Sequence, residues 1–150
     1  MDFSVVVDDL PELIHWDILK LRYFAVNNLI SNALKFVSNG GRVLVRVGIN
    51  AEGDVLISIA DNGPGIPPEE RTVIFERFAQ ASNNTRSFSG SGYGLFNAAH
   101  MVRSHFGEIT ITDGLDGKGV CFNMQIPAIP FPMDKIAIFN DMPNSPNNPN

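Results

Sequence analysis

Apolar and polar positions along the chain change period several times, and each change predicts an element. Residues 3–7, Phe-Ser-Val-Val-Val, form a short apolar run that Asp8, Asp9 and Pro11 cut off, which predicts a first strand. From Asp17 to about Val37 the apolar residues return every three or four positions. Asp17 is a suitable N-cap there and Asn39-Gly40-Gly41 a stop, so one long helix is expected. "RVLVRVGI" (42–49) and "DVLISIA" (54–60) alternate with period two around "NAEGD", the pattern of a hairpin. Pro67, Pro68, Glu69 and Glu70 open a short helix expected to end near Phe75. The polar, small-residue stretch 79–92 reads as a loop. A further helix is expected from about Tyr93 to Phe106, followed by a second hairpin-like pair, "EITITD" (108–113) and "VCFNMQI" (120–126). Strand, helix, two strands, helix, two strands is the order of a two-layer α/β sandwich, with helices on one face of a mixed, mainly antiparallel sheet.

Composition narrows the function classes. A chain of 150 residues, 44% hydrophobic, buries one sizeable core, and the expected domain is 1–127. After Ile126 proline and asparagine dominate, so 128–150 reads as a disordered tail, with "DKIAIF" (134–139) a stray strand or an edge within it. The formal charge of −5 is scattered, which argues against a nucleic-acid-binding surface. One cysteine, Cys121, excludes an internal disulfide and a CxxC metal pair, and His15, His100 and His105 lack ligand companions at metal spacing. No apolar run approaches the roughly 18 residues of a membrane span, and the acidic start is unlike a signal peptide. The expectation is a soluble, cytoplasmic domain with no membrane insertion of its own.

Three stretches carry candidate chemistry. In "NNLISNALKF" (27–36), Asn28, Asn32 and Lys35 fall within about 60° of one another on a helix, away from the apolar stripe of Val26, Leu29, Ile30, Ala33 and Val37. That stripe is either the wall of a polar cavity or a half-exposed polar flank. Amide oxygens suit a hard cation such as Mg²⁺, and an ammonium group suits phosphate oxygens. "DNGPGI" (61–66) places a carboxylate at a strand end before two glycines, either a ligand site or a tight turn. "GSGYGLF" (90–96) puts Gly90, Gly92 and Gly94 at a helix start, where free N–H groups can meet an anion; a flexible connection reads the same way.

Together these stretches resemble a family. "NNLISNALKF" looks like an N box, "DNGPGI" a G1 box, "IFERF" (74–78) an F box and "GSGYGLF" a G2 box, in order and at matching separation over roughly residues 3–127. The chain is similar to the catalytic, ATP-binding domain of sensor histidine kinases, in the superfamily that includes gyrase and MutL. The resemblance implies a Bergerat fold, ATP and Mg²⁺ as ligands, and transfer of the γ-phosphoryl group to a histidine. That histidine would lie on a dimerisation domain, with a response regulator receiver domain downstream. Asp61 would accept a hydrogen bond from the adenine amino group, beside Gly63, Gly65 and Ile66. Asn28 and Asn32 would hold Mg²⁺ and phosphates, Asn32 the stronger metal candidate, and Lys35 would meet phosphate oxygens. Asn28 and Lys35 are the catalytic candidates. Phe75 and Phe78 would anchor the lid or simply pack, and Gly90, Gly92, Tyr93, Gly94 and Leu95 would line the triphosphate. Phe24, Tyr93, Val120 and Cys121 depart from the family's usual residues, and His15 lacks a phosphoacceptor setting. The competing readings are a hydrolytic ATPase of the gyrase or MutL type, which carries a Glu general base at the Asn28 position, and a catalytically weak nucleotide-binding module.

Overall fold

A computed structural model describes residues 1–76 and 93–130. Five strands form one sheet in the order β1-β2-β3-β5-β4: β1 Asp2–Val7, β2 Arg42–Ile49, β3 Asp54–Asp61, β4 Glu108–Asp113 and β5 Val120–Pro127. β1 runs parallel to β2, and the other three neighbouring pairs are antiparallel. Both expected hairpins form, and the sheet is mixed and mainly antiparallel as expected.

Register explains which face is buried. Val45, Ile59, Phe122 and Ile111 are successive cross-strand partners on β2, β3, β5 and β4, and all four belong to the core. One residue along, Arg46, Ser58, Asn123 and Thr110 form the matching row on the other face, where each is half-buried or exposed. The period-two alternation in the sequence thus pins the register, because a slip of one residue would drive Arg46 and Asn123 into the core. β1 pairs Val5 with Val45, yet Val5 is exposed, so the helical layer stops short of this edge strand.

The long helix is the main departure from expectation. It consists of α1, Ile18–Leu21, a π-helical turn over Arg22–Val26, and α2, Asn27–Phe36. Asp17 caps it as expected, its Oδ1 accepting from the Lys20 N–H at 3.2 Å. In the π turn the N–H of Asn27 reaches back five residues to the carbonyl of Arg22, and helices widened in this way are frequent at functional sites. The Pro-Pro-Glu-Glu segment is likewise not one helix but two 3₁₀ turns, Pro68–Glu70 and Val73–Phe75. α3 spans Gly94–Ser104 and stops where Phe106 takes a φ of +60°.

Leu21, Ala25, Leu29 and Ala33 from the first helical segment meet Leu95, Ala98, Ala99 and Val102 of α3 over the inner sheet face. Residues 15–16 and 127–128 are tied to each other beside this layer. The Trp16 indole N–H donates to the Pro127 carbonyl at 2.7 Å, and the His15 N–H to the Ala128 carbonyl at 2.7 Å. His105 is buried; its Nε2 accepts from the Asp17 N–H at 3.1 Å, so its Nδ1 carries the proton that meets the Met101 carbonyl at 2.9 Å. Described chain continues to Pro130, which is buried. The expected tail beyond it, with "DKIAIF", lies outside the described residues.

Candidate functional site

Three of the motif stretches meet at one end of the sheet. α2 ends at Phe36 beside the loop that follows β3: a side chain on Gly63 would stand 2.7 Å from the Phe36 carbonyl oxygen. Gly65 lies near the β4–β5 turn, where a Cβ would come 3.1 Å from the Gly119 carbonyl oxygen, a tight contact. Gly63 is therefore demanded by packing within the chain itself, since backbone occupies the space a side chain would need.

Asp61 is the last residue of β3 and is fully buried. Its Oδ1 accepts from the Gly63 N–H at 2.9 Å and, more distantly, from the Val120 N–H at 3.4 Å. A carboxylate held by backbone donors has a fixed orientation, which a hydrogen-bonding recognition group requires. Beside it, the Asn62 side-chain oxygen accepts from the Arg42 N–H at 2.8 Å and extends the β2–β3 pairing by one step.

Asn28 joins α2 to α3. Its amide nitrogen donates to the Phe24 carbonyl at 2.8 Å and to the Gly94 carbonyl at 3.2 Å. Both partners are acceptors, so the nitrogen must face them, and Oδ1 is turned away as the side chain's remaining acceptor. One turn on, Asn32 is 6% exposed, the one asparagine of the three in this helix that is buried. Lys35 is exposed, with its ammonium 5.7 Å from the Phe36 ring centroid. Two amide oxygens and an ammonium along one stripe fit a cation and the phosphates it accompanies. Among the described residues no group of three or more His, Cys, Asp or Glu could hold a metal.

Other expected site residues fall in the core. Ile66, Leu95 and Phe75 are all buried, and Phe75 meets Phe122 edge-on with ring centroids 6.3 Å apart. Their side chains belong to the hydrophobic core. Tyr93 stands at the N-cap of α3 and is partly exposed. Phe78, Gly90 and Gly92 lie outside the described residues.

A family model described as "Histidine kinase-, DNA gyrase B-, and HSP90-like ATPase" matches residues 17–130. The chain belongs to this family. It is an ATPase domain of the sensor histidine kinase type. Over 102 residues it is 43% identical to the sensor protein kinase PmrB of Pseudomonas aeruginosa, covering 68% of this chain and 21% of that protein. Over 104 residues it is 38% identical to the sensor histidine kinase WalK of Bacillus subtilis, covering 68% of this chain and 17% of that one. The chain thus spans about a fifth of the length of these curated relatives. Among solved structures, the mycobacterial sensor histidine kinase MprB superposes with a TM-score of 0.74 at 36% identity, covering 84% of this chain and 82% of that one. Full-length ShkA, solved in complex with AMPPNP, gives 0.69 at 30% identity over 84% of this chain and 25% of its own.

Within this histidine-kinase-type domain, sequence reading missed what stands behind Asp61. Cβ atoms on Gly114 or Gly119 would overlap the Asp61 carbonyl oxygen, so the β4–β5 turn presses directly on Asp61. "DGLDGKG" carried that signal, as glycine-rich as the motifs singled out. The departures at Phe24, Val120 and Cys121 also become intelligible. Phe24 is exposed and contributes its carbonyl to Asn28, and Val120 contributes its N–H to Asp61 while its side chain fills the core. Cys121 points to the opposite sheet face beside Asn123, where burial pushes its thiol above the ordinary range. At Phe24 and Val120 the group that meets Asn28 or Asp61 is a backbone one, which any residue other than proline supplies at Val120 and any residue supplies at Phe24.

Proposed function

We propose that this domain binds ATP and donates its γ-phosphoryl group to a histidine on a dimerisation domain, within a cytoplasmic sensor kinase that serves a response regulator. One observation carries the reading: the Asn28 amide is clamped to Phe24 and Gly94 with its oxygen left outward. An amide has no basic site with which to take a proton from water at neutral pH, so the arrangement supports positioning a nucleotide rather than activating a hydrolytic water.

In this reading Asp61 receives the adenine amino group, with Gly63 and Val120 holding its carboxylate in place. Asn32 and Asn28 offer amide oxygens to Mg²⁺, and Lys35 neutralises phosphate oxygens. Mg²⁺, when bound there, would supply charge neutralisation for the phosphates. Phosphoryl transfer asks little covalent chemistry of the protein, and positioning plus electrostatics account for most of its rate.

Two measurements on the 150-residue chain test this. Asp61→Asn should weaken ADP binding by about 1–3 kcal/mol, the usual loss for a hydrogen bond to a charged partner. Added to a separately prepared histidine-bearing dimerisation domain, wild type with Mg²⁺-ATP should label that histidine. Unchanged ADP affinity in a folded Asp61→Asn protein would remove the adenine assignment, and sustained phosphate release without labelled histidine would favour the hydrolytic reading.

A further inference from the structure

Arg71 is used by none of the four motifs, yet it reaches two elements of the site at once. Its Nε donates to the Ile66 carbonyl at 2.9 Å, and a terminal guanidinium nitrogen donates to Asp113 Oδ1 at 2.7 Å. Ile66 ends the loop that begins at Asp61, and Asp113 ends β4. Arg71's side chain is 19% exposed and that of Asp113 77%, so the salt bridge itself faces water while the contact with Ile66 is sheltered.

These bonds close a ring. Asp113 pairs in register with Val120. Val120 donates to Asp61 Oδ1, Gly63 donates to the same oxygen, and the loop then runs from Gly63 to Ile66 and back to Arg71. At its middle, Gly65 lies close against Gly119, where a Cβ would stand 3.1 Å from the Gly119 carbonyl oxygen. The spacing between the 61–66 loop and the β4–β5 turn therefore sets where the two N–H donors stand relative to the Asp61 carboxylate. Arg71 spans that spacing.

We infer that Arg71 is a positioning residue for nucleotide recognition: by bridging Ile66 and Asp113 it holds the loop and the turn at the separation that aims the Asp61 carboxylate. The inference rests on the adenine-binding reading of Asp61. A rigid planar fork is suited to this, because it meets two acceptors in different elements at fixed angles. Lysine has one mobile ammonium group and cannot reproduce the geometry. A second pair, Arg42 with both carboxylate oxygens of Asp116 at 2.9 Å, fastens the tip of the same turn without touching the 61–66 loop through its side chain. It makes an internal control.

The experiment measures ADP and GDP affinity, together with melting temperature, for wild type, Arg71→Met, Arg71→Lys, Arg42→Met and Asp61→Asn. Guanine presents an oxygen where adenine presents its amino group, so the ADP-to-GDP ratio reads the aim of Asp61, and loss of stability does not move it below the melting transition. Arg71→Met should weaken ADP binding about tenfold and narrow the ratio, the scale expected when one charge-assisted hydrogen bond is lost. Arg71→Lys, the variant most certain to fold, should show most of the same loss. Arg42→Met should lower the melting temperature comparably and leave both affinities and their ratio in place. If both Arg71 variants keep the wild-type ratio while Asp61→Asn loses it, Arg71 is a structural tie only and the inference is overturned. If Asp61→Asn also keeps it, the adenine reading falls, and the inference with it.

Discussion

Asn28 and Asn32 show how two identical side chains in one helix come to differ. Asn28 sits beside the N-terminus of α3 and gives its amide hydrogens to the Phe24 and Gly94 carbonyls. Asn32 lies one turn deeper and is buried. A metal role for Asn32 predicts that Asn32→Ala abolishes the Mg²⁺-dependent increment in ATP affinity while leaving metal-free ADP binding largely in place. Titrations with ATP at zero and millimolar Mg²⁺, on wild type and mutant, decide the matter. A purely structural asparagine would give the same Mg²⁺ increment in both proteins, with stability unchanged or slightly raised by a better helix former. Lys35 was legible only in part: helical spacing puts it on the Asn stripe, but its exposed position at the end of α2 followed from where the helix stops.

The element that most shapes the site is the β4–β5 turn, Gly114 to Gly119. Gly119 has a φ of +75°, and a Cβ there would overlap the Asp61 carbonyl oxygen and stand 2.8 Å from Asn62 Cα. Gly117, in the same turn, has a similar φ of +73° but nothing within 4 Å of the place its Cβ would occupy. The pair separates backbone strain from close approach. Gly117→Ala should cost about 1 kcal/mol through strain alone. Gly119→Ala should cost about 2–4 kcal/mol, because Asp61 must also be displaced, and it should weaken ADP binding where Gly117→Ala does not. Denaturant midpoints with ADP titrations measure both, and equal losses for the two variants would show that the turn does not bear on Asp61. The π turn between α1 and α2 belongs to this scale too. It takes up an extra residue in one helical turn, which keeps Leu21, Ala25, Leu29 and Ala33, four apart throughout, on one buried face.

At the scale of the molecule, the helical layer is closed by bonds between residues far apart in the chain: Trp16 to Pro127, His15 to Ala128, and His105 to Asp17. Two of them lie at or beyond the expected end of the domain. Truncation after Pro130 should therefore leave the melting temperature near that of the full chain, since residues 131–150 are rich in proline and asparagine. Truncation after Pro127 removes the Ala128 acceptor and buried Pro130, and should lower it by roughly 2–6 °C. Equal melting temperatures for the two truncations would place the domain boundary at Pro127 after all. Among the described residues no helix is long and apolar enough to cross a membrane. What the sequence by itself determined were the elements with a strong period and the motif residues: five strands, the alternation that gives each hairpin strand one apolar face, two main helical stretches, and the positions of the N-box and G1-box motifs in the chain. Those follow from side-chain periodicity and turn chemistry, which are local. Only tertiary structure decided that β1 joins in parallel, that β3 pairs with β5, that "DGLDGKG" stands behind Asp61, and that Arg71 bridges loop and turn. Each of these depends on groups distant in sequence coming together, most of them backbone carbonyls, N–H groups or missing Cβ atoms, which are the same at every residue in a sequence until the fold brings particular ones together.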